Sequence, residues 1–423
     1  MLRNLLLRAV GPAKEMDVAF ADRLNIITGD NGLGKSFLLD IAWWALTRTW
    51  AGQPALPQRF TRAAPRIVCR FDGKRGQVEE DSVFIRQTQQ WKRQMGRPSI
   101  PGLVLYAQVD GGFSVWDPAR NYWKQTKGEY DPSRPKSFIF KPHEVWEGLP
   151  HEDSFKMVCN GLIADWASWQ REDGEAFHQL RRVLEALSPS EEEVIRPGPL
   201  TRISVDDARD FPTIQMLYGQ NVPVIHASAG MRRIIALAYL LVWSWREHVI
   251  ASEILGSRPA HQIIFLIDEI ESHLHPKWQR QVFDAILKVM DALVGQHKVE
   301  NIQIIAATHS PLIMASIEPF FDPNIDAWFD IDQSNNRVAI RHRDFEKLGT
   351  SDEWLMSEAF GLPSGRSIPY EKLIEEASDL IDRDQVDLEE IKRVNDALVN
   401  ALSPRDPFLF SWRYICQKRE WLN

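Results

Sequence analysis

Eight residues, Gly29-Asp30-Asn31-Gly32-Leu33-Gly34-Lys35-Ser36, constrain this chain more than any other stretch. They fit G-x-x-x-x-G-K-[ST], a loop whose backbone N–H groups wrap nucleotide phosphates. Both flanks supply the context such a loop needs. Leu24-Asn25-Ile26-Ile27-Thr28 reads as a short buried strand, and Phe37-Leu38-Leu39-Asp40-Ile41-Ala42-Trp43-Trp44 has apolar residues at helical spacing. An ordinary glycine turn before a helix shares the pattern but not both flanks. Glycines let the backbone approach phosphates and reach φ > 0. The helix start after Gly34 presents unpaired N–H groups and a partial positive charge to an anion. Lys35 adds a mobile cation for the β- and γ-phosphates, and Ser36 a hydroxyl ligand for Mg2+. The candidate nucleotide-binding stretch runs from Gly29 through Phe37.

Three further blocks carry chemistry. Gln262-Ile263-Ile264-Phe265-Leu266-Ile267 is a continuous apolar run ending in Asp268-Glu269. Such runs come from parallel strands buried on both faces. Two adjacent carboxylates at that end are expensive unless they serve a cation or a proton, and ligands of open α/β sheets bind at those ends. Asp268 is assigned to Mg2+, through water, and Glu269 to orienting and deprotonating the attacking water. A solvated acidic turn is the bland alternative. Asn301 to Pro311 repeats the pattern, and His309 could donate a hydrogen bond to the γ-phosphate or serve structure alone. In His226 to Arg233, Ser228 reads as a helix cap, with Ala229 and Gly230 in the first turn, making a second anion-binding helix start. Two such starts but one Asp–Glu pair suggest two chains head to tail, each closing the other's nucleotide.

The order of these blocks resembles ABC-type ATPases. Leu266 to Pro276 (LIDEIESHLHP) is most similar to their soluble branch, which contains the RecF, SMC and OLD-type proteins. That likeness covers most of residues 1–330. Ala229 replaces a glycine of the transporter signature and no Leu precedes Ser228, which disfavours a transporter subunit. A narrower resemblance is to the ATPase subunit of Septu-type anti-phage defence systems, including retron-linked ones. It rests on Tyr106–Asn121, Cys159–Gln170, Ser204–Tyr218 and Glu353–Ser367. The resemblance implies an α/β fold: an ABC-type P-loop ATPase head with a mixed or parallel sheet flanked by helices, a helical second lobe and a helical C-terminal tail. It implies ATP and Mg2+, a homodimer or higher homo-oligomer through the nucleotide interface, and a separate HNH-type nuclease subunit. Contact with nucleic acid, DNA or retron RNA–DNA, belongs to the same picture. A RecF/SMC-like DNA-repair ATPase is the first alternative, although no sustained heptad run supplies coiled-coil arms. A non-hydrolysing, ATP-bound scaffold is the second.

Composition fits without deciding. The 423 residues carry a net charge of -8, which argues against a strongly basic nucleic-acid coat. Cys69, Cys159 and Cys416 form no disulfide or zinc pattern, so a reducing cytoplasm fits. Met1 to Leu7 is too short for a signal peptide's apolar core, and no run of 18 apolar residues predicts a membrane span. The motifs divide the chain into 1–140 (first half of the ATPase lobe), 141–254 (second lobe with the signature), 255–330 (second half of the ATPase lobe) and 331–423 (hairpin and helices, partner-binding). Strands are expected at Thr201–Val205 and Thr213–Leu217. Helices are expected at Ala176–Leu187, 229–248, Glu371–Ile381 and Leu388–Leu402.

Weaker features have plain readings. Asp330-x-Asp332 could suggest a TOPRIM nuclease, but too little chain follows, and an edge strand with outward carboxylates suffices. Asp387 with Glu390-x-Lys392 reads as a solvated helix face. No nuclease site is expected. Arg86, Trp91, Lys92, Arg93 and Arg97 could touch nucleic acid but read better as a solvated loop. His273 and His275 lack further ligands at metal spacing. A magnesium-sensing glutamine could be Gln87, Gln108 or Gln170. Trp43, Trp44, Trp166, Trp169, Trp243 and Trp245 fall on expected helices and read as core.

Overall fold

The computed structural model describes residues 1–59, 63–73, 76–92, 102–121, 137–151, 155–294, 301–334, 337–383 and 385–421. One compact unit is Met1–Trp354 and a second is Leu355–Asn423.

The apolar runs of the first unit become a mixed eight-stranded sheet. Its strands in chain order are β1 (Leu24–Gly29), β2 (Leu103–Ala107), β3 (Phe113–Trp116), β4 (Phe138–Phe140), β5 (Gln262–Asp268), β6 (Asn301–Ala307), β7 (Ala327–Ser334) and β8 (Arg337–Arg343). They lie in the order β8-β7-β1-β6-β5-β2-β3-β4. The five central strands, β7, β1, β6, β5 and β2, are parallel, and the outer ones are antiparallel. Every residue of β1 and β5 is buried, as a central parallel strand requires.

Helix Lys35–Thr47 packs on this sheet. Its other side meets an antiparallel five-stranded sheet built from Leu2–Arg8, Glu15–Ala19, Arg66–Gly73, Gly76–Ile85 and Gln90–Trp91. Leu2, Leu5, Leu38, Leu39, Trp43, Ile264 and Ile305 join in one apolar core across these layers. Gln303, fully buried in β6, ties the sheets together. Its side chain accepts from Leu2 N at 2.8 Å and donates to Leu2 O at 2.9 Å. A buried amide is tolerated because its partners are all supplied.

A second lobe stands within the same unit. Helices Leu162–Glu172 and Glu175–Ala186 pack on the long helix Ala229–Ile254, and a three-stranded sheet packs on those two helices. That helix is long and apolar enough to cross a membrane by composition, yet 67% of its most apolar window is buried in the protein. Tyr239 on it donates to Asp165 at 2.7 Å, and Asn160 donates to the same carboxylate at 2.8 Å. His248 lies between Asp117, at 2.7 Å, and the Ala260 N–H, at 2.7 Å. The six helical tryptophans are all buried.

Several expectations shift. The strand expected at Thr201–Val205 is Arg196–Thr201, ahead of that window. Pro197 and Pro199 disguised it, and they are tolerated because this strand is an edge. The hairpin opens no separate tail: β7 pairs with β1 inside the main sheet, with β8 as the edge. Asp330 is therefore not an outward carboxylate. It is 2% exposed, accepts from Thr28 Oγ1 at 2.9 Å and pairs with Arg343 at 3.3 Å. Trp91 is buried and donates to Ala55 O at 2.8 Å, so it offers no face to a base. Arg93 and Arg97 lie outside the described residues, as do Asn335 and Asn336.

The second unit holds helices Ile368–Asp382, Leu388–Ala401 and Pro407–Lys418 around Leu380, Ile391, Val394, Leu398 and Trp412. The last helix is one the sequence reading lacked, although Asp406 caps it and Pro407 opens it. Asp387 caps the helix before it, and Glu390 faces Arg383 at 3.5 Å.

Gly29 is where sheet and loop meet most tightly. Its φ is +136°, and a Cβ there would stand 2.3 Å from the Ile331 carbonyl oxygen. Gly29→Ala is expected to destabilise the first unit by roughly 2–5 kcal/mol, combining backbone strain with overpacking. Equilibrium urea unfolding checks this; a change below about 0.5 kcal/mol, the range of an inert surface substitution, contradicts it.

Candidate nucleotide site

The parallel register brings four strand ends to one edge of the sheet. Gly29 pairs with Ile331, Asp268 with Ala307, Ala307 with Ile27, and Ile267 with Ala107. Beyond those ends lie the phosphate loop, Glu269, Thr308-His309 and Gln108. The main-chain bonds Thr308 N to Ile27 O and Glu269 N to Ala307 O, both 3.0 Å, extend the ladder one step into the site.

The loop has the shape its glycines foretell. Gly32 and Gly34 have φ of +79° and +103°, and space is open around Gly32. Asp30 and Asn31 are exposed, while Leu33 is buried in the core. Phe37 is partly buried, and a Cβ on Gly11 would strike its ring at 2.2 Å. Lys35 is only 4% exposed, and its Nζ donates to Gly29 O at 2.7 Å and Asp30 O at 3.0 Å. Burial lowers its pKa, against Glu269 and Asp268 nearby. The loop's own carbonyls thus hold the cation in the place of an anion.

Asp268 ends β5 at 1% exposure, and its Oδ1 is buried without a hydrogen-bond partner among the described residues. Burial pushes its pKa from 3.8 to about 6; the Ser36 hydrogen bond opposes this, while Glu269 and Asp40 add to it. An orphaned carboxylate oxygen beside a serine hydroxyl suits a hard divalent cation, so Ser36 and Asp268 fit Mg2+.

Glu269 sits at φ +45°, a left-handed backbone that few non-glycine residues adopt. Its Oε1 lies 2.8 Å from His309 Nε2. Burial, with Lys35 nearby, lowers the pKa of His309. A neutral ring facing a carboxylate carries its proton on Nε2 and donates it there. The His309 ring, expected to reach a γ-phosphate, is thus turned onto the Glu269 carboxylate.

Of the glutamines, Gln108 alone stands at these strand ends, one residue past the Ala107–Ile267 pair. Gln87 is exposed in a turn, and Gln170 is bonded to Trp166 and Gly198 in the second lobe. His275 caps the short helix Pro276–Gln279.

The signature helix joins the site from behind. Ser228 caps it by accepting from Met231 N at 3.3 Å. Ser228 and Ala229 are exposed. Gly230 is buried, and a Cβ there would meet His273 O at 2.7 Å. No hydrogen bond links residues 228–230 with 29–37 among the described residues. Ser228 instead lines a cavity of about 340 Å3 with Ile214, Met231 and Trp278, and no residue of 29–37 lines it.

Two residues escaped the sequence reading. Arg233 spans from the signature helix to four carbonyls: Val109 at 2.8 Å, Gln108 at 3.4 Å, Asp268 at 3.2 Å and Glu269 at 3.1 Å. Glu271 accepts from Thr308 Oγ1 and from His309 N, each at 2.6 Å. Their only sequence signals were a second arginine after the signature and a second acid after Asp268-Glu269.

The Asp268 carboxylate is held against its own stability. Its proton affinity is higher folded than unfolded, so its favourable contribution is complete below about pH 4 and lost as pH rises through about 6. In chelator without nucleotide, Asp268→Asn is expected to exceed the native chain in stability at pH 8 by up to about 3 kcal/mol, at 1.36 kcal/mol per pKa unit. The gap should close toward pH 4. Urea unfolding across that range checks it, and a pH-independent gap contradicts it.

Comparison with known proteins shows the family of the chain. The family model described as "AAA domain, putative AbiEii toxin, Type IV TA system" matches residues 24–315. The Septu protein PtuA of Bacillus thuringiensis is 30% identical over 391 residues, covering 91% of this chain and 90% of that protein. The "Retron Vc95 probable ATPase" of Vibrio cholerae is 27% identical over 176 residues, 42% of this chain but 31% of that protein's length. Among solved structures, the SMC head domain from Thermotoga maritima aligns with a TM-score of 0.39 and 15% identity over 81% of this chain and 99% of that one. This chain belongs to the ABC-type ATPases of the AAA domain family, in the PtuA-like defence group.

Proposed function

We propose that this chain binds ATP with Mg2+ and hydrolyses it, as a nucleotide-gated switch for a partner effector in anti-phage defence. The observation that carries the reading is the meeting of Lys35, Asp268 and the Glu269–His309 pair at one sheet end. Lys35 exchanges the Gly29 and Asp30 carbonyls for phosphate oxygens. Ser36 and Asp268 hold Mg2+, which supplies neutralisation of triphosphate charge. His309 leaves Glu269 for a γ-phosphate oxygen, and Glu269, so released, takes the proton of the attacking water. In this reading Gln108 is the residue that senses the occupied site.

Two chains close head to tail, each offering Ser228, Ala229 and Gly230 to the other's nucleotide. Their exposed, capped helix start supports this, since among the described residues it makes no bond to its own phosphate loop. The effector is an HNH-type nuclease, with residues 355–423 as its platform. A cytoplasmic setting completes the picture, supported by three free, buried cysteines.

Lys35→Ala is expected to abolish ATP binding by titration calorimetry; tight binding by that variant contradicts the assignment. Glu269→Gln is expected to slow turnover by about 10²–10⁴-fold, the usual contribution of a general base. It should also accumulate as an ATP-bound dimer in light scattering. Normal turnover removes Glu269 as the base, and a monomer with ATP bound removes the head-to-tail arrangement.

A further inference from the structure

Glu271 has no part in the chemistry described so far, yet it is wired into it. It lies two residues after Glu269 on the segment leaving β5. One oxygen, Oε1, receives both the Thr308 hydroxyl and the His309 main-chain N–H, at 2.6 Å each. The other, Oε2, is buried without a partner among the described residues. Two bonds of this length converging on one oxygen hold it in a narrow geometry. They bind the end of β6 to the segment carrying the base, while Glu269 Oε1 reaches the His309 ring at 2.8 Å from the same segment. Two attachments, one to the His309 peptide and one to its ring, define how the loops are registered. Thr308 N also bonds Ile27 O at 3.0 Å, so the tie ends on the strand that carries the phosphate loop.

We infer that Glu271 is a positioning residue: anchored on the Glu269 segment, it holds the Thr308–His309 peptide so that the His309 ring meets the γ-phosphate of a bound nucleotide. The inference rests on the proposed roles of Glu269 and His309. It makes no direct contact with nucleotide necessary, and Glu271 acts through His309. Misplacing a catalytic group by about 1 Å can slow a reaction on the order of 100-fold without weakening binding.

The test is steady-state ATP hydrolysis by the full chain, with nucleotide affinity measured in parallel. Glu271→Ala is expected to lower kcat about 30–100-fold with KM within about threefold. Glu271→Gln keeps a carbonyl oxygen that accepts both bonds and should retain at least about a third of kcat. Thr308→Val, which leaves the carboxylate and removes one donor, should fall between them and serves if Glu271→Ala does not fold. The decisive variant is Glu271→Ala combined with His309→Ala. Because Glu271 works through His309, the double variant should be no slower than His309→Ala alone. Multiplicative losses in the double variant overturn the inference, as does a Glu271→Ala enzyme with unchanged kcat or with a loss confined to KM. A native chain that neither hydrolyses ATP nor differs from Glu269→Gln overturns the proposed function itself, and this inference with it. Native turnover with Glu271→Ala unaffected overturns the inference alone.

Discussion

Parallel pairing of β1, β6 and β5 is the constraint on which the rest depends. Parallel strands end at the same edge, so residues nearly 280 positions apart in sequence arrive together without any bond between their side chains being needed first. Thr28-Gly29, Asp268 and Ala307 are fixed by main-chain ladders buried on both faces. Glu269 lies one residue beyond its ladder and His309 two, where the backbone is free to turn: Glu269 in the left-handed region, His309 before a proline-opened helix, while the phosphate loop leaves β1 through Gly32 and Gly34 at positive φ. Rigid strands set position, and the short departures from them set direction.

That edge is electrostatically unfinished. Asp268, Glu269, Asp30 and Glu271 surround Lys35, and burial, rather than pairing, dominates the shifts of Asp268, Glu271 and Lys35. A fold selected for stability alone would place an ion pair or apolar side chains here. Among the described residues, Asp268 Oδ1 instead has no partner, and Lys35 leans on its own loop carbonyls. In the proposed reading, a bound triphosphate and a divalent cation would complete both arrangements.

Legibility in the sequence followed from how local each signal was. The phosphate loop, the two strands ending in Asp268-Glu269 and His309, and the Ser228 cap were readable because each is a contiguous run with one periodicity. The partners of those residues were not. Gln108 became distinguishable from Gln87 and Gln170 only through the register of β2 with β5. Glu271 was visible as a letter, but its role depends on a loop 37 residues away. The hairpin strands were recognised while their place was not, since nothing in Ala327–Arg343 states that β7 inserts beside β1. Pro197 and Pro199 hid a strand because propensity assumes a central position, whereas that strand is an edge.

Arg233 gives the signature helix a mechanical meaning that its sequence did not convey. It is five residues from Ser228, about 7.5 Å along a helix at 1.5 Å per residue. Its guanidinium ends on the carbonyls of Gln108, Val109, Asp268 and Glu269 rather than on any of the carboxylates around it. A planar, always-charged fork matched to main-chain acceptors grips backbone, so what it transmits is the position of peptides rather than a charge balance. Gly230 reinforces the grip, because the His273 carbonyl leaves no room for a side chain there. The helix start is thus fastened to the two turns that flank the Mg2+-fitting carboxylate while its own anion-binding end remains exposed.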